Sequence, residues 1–191
     1  SVETLYAVLA AAGFIDDVIL DTYGRFGSTL AGHPVNKIPG VELNSGALGH
    51  GLSVGVGMAL AAKMDQRSYR TFVLMGDGEL DEGSIYEAAM AANHYRLSNL
   101  VAIIDRNELQ ISGKTEEVMS LEPIRERWEA FGWEVSEVDG NDVEAIVHAL
   151  DIVDYQSTKP KLIIAHTTKG SGISFMEKIA KWHHGAPNEE Q

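Results

Sequence analysis

Two short apolar runs constrain the fold of this chain more than any other feature. Thr71-Phe-Val-Leu-Met75 breaks into Gly76-Asp77-Gly78, and Leu100-Val-Ala-Ile-Ile104 ends in Asp105-Arg106-Asn107. Each run is short, aliphatic or β-branched, and bounded by turn residues, which is the pattern of a strand buried in a parallel sheet. Between them, Ser84-Ile-Tyr-Glu87 has the spacing of a capping box, and Ile85, Ala88, Ala89 and Ala92 repeat at i, i+3, i+4, i+7 along one helix face. The unit reads as β-α-β.

A right-handed crossover points both strands' carboxyl ends to one edge, so Asp77 and Asn107 are expected to meet there despite their separation in sequence. A carboxylate and a side-chain amide offer two hard oxygens. Such a pair suits a small divalent cation that takes its remaining ligands from carbonyls, water and phosphate. The expected ligand is therefore a diphosphate bridged to protein by a metal. Gly76 and Gly78 let the backbone approach it, and the following helix directs amide groups toward the loop. No Gly-Lys-Ser/Thr follows and no third glycine falls at the dinucleotide spacing, so a Walker loop and a dinucleotide fingerprint are both set aside.

Gly76-Asp-Gly78, Glu82-Gly83, Glu87-Ala88, Asn99-Leu100 and Asp105-x-Asn107 together resemble the thiamine-diphosphate-binding motif, in the wording found in transketolases. Other stretches extend the likeness. Gly32-His33-Pro34, Pro39-Gly-Val-Glu42 and Gly46-Ala-Leu48-Gly-His50-Gly51 occur in the order and separation of that family. So do Thr167-Thr-Lys169-Gly-Ser-Gly172 and Trp182-His183-His184-Gly185-Ala186-Pro187. Taken alone, His33 reads as a surface loop histidine, Lys169 as a solvated loop lysine, and the paired histidines carry no zinc signal because adjacent side chains diverge.

The chain has 191 residues, 45% of them hydrophobic, enough for one domain with a sizeable core. A formal net charge of -13, with no basic cluster expected to neutralise phosphates, argues against nucleic acid or an anionic membrane as partner. Zero cysteines exclude a disulfide framework or a zinc-thiolate site, and with no signal peptide or spanning apolar run a cytoplasmic protein is expected.

Along the remainder, Ser1 to Ala10 has helical periodicity, Asp16 to Tyr23 reads as a short second helix, and Phe26 to Asn44 as a long loop. Leu48 to Met64 reads as one helix rich in small residues. Its glycines each cost roughly 1 kcal/mol relative to alanine, so close backbone packing must compensate. Leu109 to Gly113 reads as a loop, Glu122-Pro123 as a helix start, and Trp133 to Val138 as a half-buried strand. Asp139 to Asp142 turns into a helix through Leu150, and Lys161 to Ala165 is the last strand. The expected architecture is a single α/β domain over residues 1–191, with a central parallel sheet between two helical layers and the ligand at the carboxyl edge.

The transketolase resemblance implies thiamine diphosphate as cofactor, with Mg²⁺ or, in its place, Ca²⁺ or Mn²⁺. On that likeness Asp77, Asn107 and the Leu109 carbonyl hold the metal. Gly46, Leu48, Gly76, Gly78, Glu79, Lys169 and His184 bind the cofactor. His33 and His184 face the sugar, and Glu82 sits at the subunit interface beside a glutamate of the partner that activates the aminopyrimidine.

The likeness further implies an amino-terminal subunit of a split, two-gene transketolase, joined with a pyrimidine-binding subunit in a heterotetramer of two copies each. The family's earlier segment, with its Ser-Gly-His and Lys-Gly-His motifs, is expected ahead of Ser1. The implied reaction moves a two-carbon ketol unit from a ketose phosphate to an aldose phosphate, as in the pentose phosphate pathway. The alternatives are the α subunit of a 2-oxo acid dehydrogenase, which shares the diphosphate loop but not the histidine motifs, a deoxyxylulose-phosphate synthase, and a fragment inactive without its partner.

Overall fold

The structure is a computed structural model describing residues 2–183, 185, 187, 188 and 190. The chain gathers into two compact units, Ser1–Ala47 and Leu48–Gln191.

The first unit carries helices α1 (Val2–Ala11) and α2 (Asp17–Leu20). The Asp16 side chain caps α2 by accepting from the Val18 amide, so the expected second helix is present but shorter than its sequence pattern. Tyr6, Leu9, Ala10, Ile15, Leu30 and Ile38 form its apolar cluster. The Tyr6 hydroxyl donates to the Ala31 carbonyl at 2.7 Å and ties the long loop to α1. No helix or strand forms between 26 and 44, as the glycines and prolines there predict.

The second unit is built on four parallel strands, β1 (Thr71–Gly76), β2 (Leu100–Arg106), β5 (Glu134–Asp139) and β6 (Lys161–His166), in the order β1-β2-β6-β5. All four coincide with the apolar or alternating runs of the sequence. A two-stranded antiparallel hairpin, β3 (Leu109–Gln110) with β4 (Gly113–Lys114), occupies the stretch expected to be loop. Two residues per strand are too few for periodicity to register.

Helix α3 (Gly51–Met64) packs on β1 and β2 and α4 (Gly83–His94) packs on α3, while α6 (Ile124–Ala130) and α7 (Val143–Asp151) pack on β5. The short α5 (Thr115–Val118) follows the hairpin. Leu52, Ala59, Ile85, Ala89, Leu100, Ala102, Ile104, Trp128 and Leu162 lie in one continuous core. On β1 the opposite face is open: Phe72 and Leu74 are 51% and 71% exposed, so the expected second helical layer does not cover this strand.

Glycine in α3 is explained by proximity. A Cβ on Gly55 would stand 2.4 Å from Cγ2 of Val73, and one on Gly51 3.8 Å from its Cγ1, so the backbone of this helix face rests on the sheet. Gly55→Val should destabilise the chain by about 1–3 kcal/mol through overpacking. Gly57→Ala, with nothing within 4 Å, should be neutral or stabilising. Urea unfolding of the two variants compares them directly, and equal stability would mean that the helix does not sit this close.

The expected Ser84–Glu87 capping box does not form. Ser84 lies inside α4, its hydroxyl donating to the Gly49 carbonyl at 2.7 Å, and the N-cap residue Glu82 makes no side-chain cap bond. The helix begins before Ser84, and the hydroxyl serves a tertiary acceptor instead of capping.

Candidate functional site

β1 delivers Asp77 to the carboxyl edge of the sheet, where a 3-10 turn, Asp77–Asp81, follows. Asp77 is fully buried. Its Oδ2 accepts from the Glu108 amide at 2.6 Å and from Arg106 Nη1 at 3.0 Å, and its Oδ1 accepts from the Gly78 amide at 2.9 Å. The first two donors come from the end of β2 and the residues after it, so the crossover brings the two loops together as its geometry requires. Burial pushes the Asp77 carboxyl upward, while the three donors pull it back.

After β2 the chain reverses at Glu108, a non-glycine residue with φ of +65°, and this turn points the Glu108 amide at Asp77. Asn107 is buried; its Nδ2 donates to the Asp105 carbonyl and carboxylate, and its Oδ1 accepts from the Leu109 amide at 3.1 Å. Thr167, just past β6, donates its hydroxyl to Asp105 and its amide to the Arg106 carbonyl, joining a third strand end to the cluster.

Arg106 was not legible from the motif, yet it organises the site. Nη1 also donates to the Thr115 hydroxyl at 2.7 Å, and Nη2 reaches Glu122 at 2.9 Å and Glu116 at 3.1 Å. Burial alone would lower its pKa, but the carboxylates of Asp77 and Glu122 hold it raised. One signal was available: Arg106 is in phase with Leu100, Ala102 and Ile104, the inward residues of β2. A cation at an inward strand position needs a buried partner.

The loop before α3 meets the same turn. The Gly49 amide donates to Glu79 Oε1 at 2.9 Å, and burial raises the Glu79 pKa. Gly49 has φ of +81°, and a Cβ there would collide with Glu82 Cβ at 2.6 Å, so only glycine fits. Leu48, Glu79 and Glu82 are thus neighbours around one loop contact, with Leu48 57% exposed.

Gly46 and His33 belong to the first unit, where the His33 ring lies against Gly46: a Cβ at its φ of +123° would be 3.0 Å from His33 Cγ. Lys169 lies in the loop after β6, half-buried. His184 lies outside the described residues.

The donor set fits a diphosphate and a hard cation. A carboxylate, an amide oxygen and the Leu109 carbonyl are all oxygen ligands. Nothing lies within 4 Å of where a Cβ on Gly76 would be, which leaves open space over the loop. Gln110 Oε1, 3.6 Å from the corresponding point on Gly78, is buried without a hydrogen-bond partner among the described residues. No cluster of three His, Cys, Asp or Glu side chains able to hold a metal occurs among the described residues.

Residues 1–191 match the family profile described as transketolase, thiamine diphosphate binding domain. The chain belongs to the transketolase family. Among relatives, one of the subunits of the apulose-4-phosphate transketolase of Phocaeicola vulgatus is 65% identical over 190 residues, covering 100% of this chain and 68% of its own length. The 6-deoxy-6-sulfo-D-fructose transketolase subunit SqwG of a Clostridium species is 42% identical over 187 residues, covering 97% and 68%. Among solved structures, transketolase from Leishmania mexicana aligns with a TM-score of 0.84 at 34% identity, over 94% of this chain and 28% of that one. A transketolase variant from Pichia stipitis aligns with a TM-score of 0.86 at 35% identity, over 93% and 28%. The chain therefore spans little more than a quarter of the length of these solved transketolase chains. No helix among the described residues is long and apolar enough to cross a membrane.

Proposed function

We propose that this chain is the diphosphate-binding subunit of a two-chain transketolase, with Asp77, Asn107 and the Leu109 carbonyl holding a divalent cation, Mg²⁺ by preference, against thiamine diphosphate. The observation that carries the reading is the buried Asp77 carboxylate, pinned against the residue 106–108 turn at the sheet's carboxyl edge beside the open Gly76 backbone. Gly46, Leu48, Gly78, Glu79, Lys169 and His184 complete the cofactor site in this reading, and His33 and His184 orient sugar hydroxyls and move protons, which imidazole does near neutral pH. When bound, the cofactor supplies the carbanion chemistry of two-carbon ketol transfer; the protein supplies binding, orientation and electrostatics.

The partner in this reading carries the pyrimidine-binding domain, with two copies of each chain assembling. Both relatives named above are single subunits of larger transketolases, which supports that division. The 65% identity to the Phocaeicola vulgatus protein makes apulose 4-phosphate the first donor to test, ahead of a sulfofructose or a pentulose phosphate. An assay of the chain with its reconstituted partner, thiamine diphosphate and Mg²⁺ decides the class: turnover with a ketose phosphate and none with pyruvate supports it, and the reverse favours a 2-oxo acid dehydrogenase.

Asp77→Asn tests the metal assignment while keeping a hydrogen-bond acceptor for Glu108 and Arg106. Even residues one layer removed from a metal cost about 10–100-fold in affinity, so thiamine diphosphate binding with Mg²⁺ should weaken by at least about 100-fold. Calorimetric titration reads this, and unchanged affinity sinks the assignment. Glu82→Gln should leave thermal stability within about 1 kcal/mol, because Glu82 makes no cap bond. If Glu82 meets a partner carboxylate, the same change should impair activity or association of the reconstituted enzyme. Unaltered association and turnover would reduce Glu82 to a helix-start residue.

A further inference from the structure

The amino ends of β1, β2 and β6 surround a cleft of about 550 Å³ lined by Lys63, Arg67, Arg70 and Arg96, together with Tyr155 and the hydroxyl and amide groups of neighbouring loops. It lies at the edge opposite Asp77; the six residues of β1 put roughly 20 Å between them. Four cations in one cleft are unexpected in a chain with 28 acidic and 15 basic residues. No carboxylate lines it among the described residues.

Part of this charge has a local explanation. Cations favour helix C-termini, and Lys63 Nζ donates to the Tyr95 and Arg96 carbonyls at the end of α4, at 2.7 and 3.3 Å. That accounts for Lys63 and leaves the arginines. Arg106, Arg125, Lys114 and Lys161 each pair with a carboxylate, whereas Arg67, Arg70 and Arg96 make no ion pair among the described residues.

Arg70 is instead held with its guanidinium 3.8 Å from the centre of the Tyr155 ring, an arrangement that orients its fork without using its donors. Arg96 has φ of +53° at the turn ending α4, where the Leu97 amide returns to the Ala92 carbonyl. Glycine is the low-cost residue at such a left-handed position, yet an arginine stands there.

We infer that this cleft binds an oligophosphate or multiply charged phosphate ester, at a site separate from the diphosphate edge. Arginine forks match phosphate oxygens two at a time, and the hydroxyls of Ser68 and Thr158 supply further donors. Being exposed, the site should weaken steeply with added salt.

Calorimetric titration of the full chain with inorganic tripolyphosphate, in chelator and without divalent cation so that the metal-dependent edge is silent, tests the assignment. A single saturable site is expected. Arg67→Gln with Arg96→Gln should weaken it at least about tenfold, as loss of two charge-assisted contacts requires. Arg25→Gln with Lys37→Gln, an equal change of charge elsewhere, should leave it within about twofold, since exposed distant charges are screened. Arg67 and Arg96 are both exposed, so the variants should fold, and thermal unfolding checks this. Equal weakening in both double variants, weakening by Lys169→Gln alone, or no saturable binding each overturns the site. Loss of association with the partner subunit in the Arg67/Arg96 variant, without tripolyphosphate binding by the parent chain, overturns it in favour of an acidic protein surface.

Discussion

Arg106→Met should lower stability by about 3–5 kcal/mol, the range seen when one member of a buried ion pair is removed. The reason lies in unequal access to water. Glu116 and Glu122 are 38% and 53% exposed and can rehydrate when the guanidinium is gone, but the Asp77 side chain is 1% exposed and cannot. The stranded Asp77 carboxylate dominates the loss. Urea unfolding of Arg106→Met, Asp77→Asn and the double variant closes a thermodynamic cycle, and the double variant should recover much of the loss because no charge is left buried. A single-variant change below about 1 kcal/mol, the ordinary surface range, would mean that the pair is not held as described.

The second large effect is expected at Trp128→Ala, at about 3–5 kcal/mol for a fully buried tryptophan. Trp128 is 1% exposed and meets Trp133 edge to face, with centroids 4.9 Å apart and planes at 89°. Trp133 in turn donates its indole N–H to the Ala89 carbonyl of α4 at 3.0 Å. The pair therefore couples α6 to the helix that follows the diphosphate loop. Glu122, which grips Arg106, stands just before α6, so loosening this helix should also release that grip. Hydrogen exchange should quicken at residues 121–131 in Trp128→Ala well before global unfolding. Exchange confined to the substituted turn would uncouple the aromatic pair from the loop.

The parallel strands and the meeting of their Asp77 and Asn107 loops were legible because buried runs bounded by glycine and asparagine leave few other readings, and crossover handedness does the rest. What local pattern could not carry was tertiary competition. Ser84 has the spacing of a cap, yet the Gly49 carbonyl from far back in the chain claims its hydroxyl. Arg106 reads as a spacer between two motif residues until strand phase turns it inward. The hairpin of β3 and β4 is shorter than any period it could display, and the basic cleft is assembled from strand beginnings scattered through the sequence.

Because β6 is made last yet lies between β2 and β5, the sheet cannot close in the order in which it is synthesised. The β1-α4-β2 unit can pair as soon as it emerges. β5 has no neighbour until Lys161 arrives, 27 residues beyond its partner Glu134. Until then Val101, Ala102 and Ile104 lack the strand that later flanks them, a non-local requirement that slows folding and leaves apolar surface open to association. A nascent chain stopped short of Lys161 should stay with chaperones, and release should coincide with the appearance of this last strand.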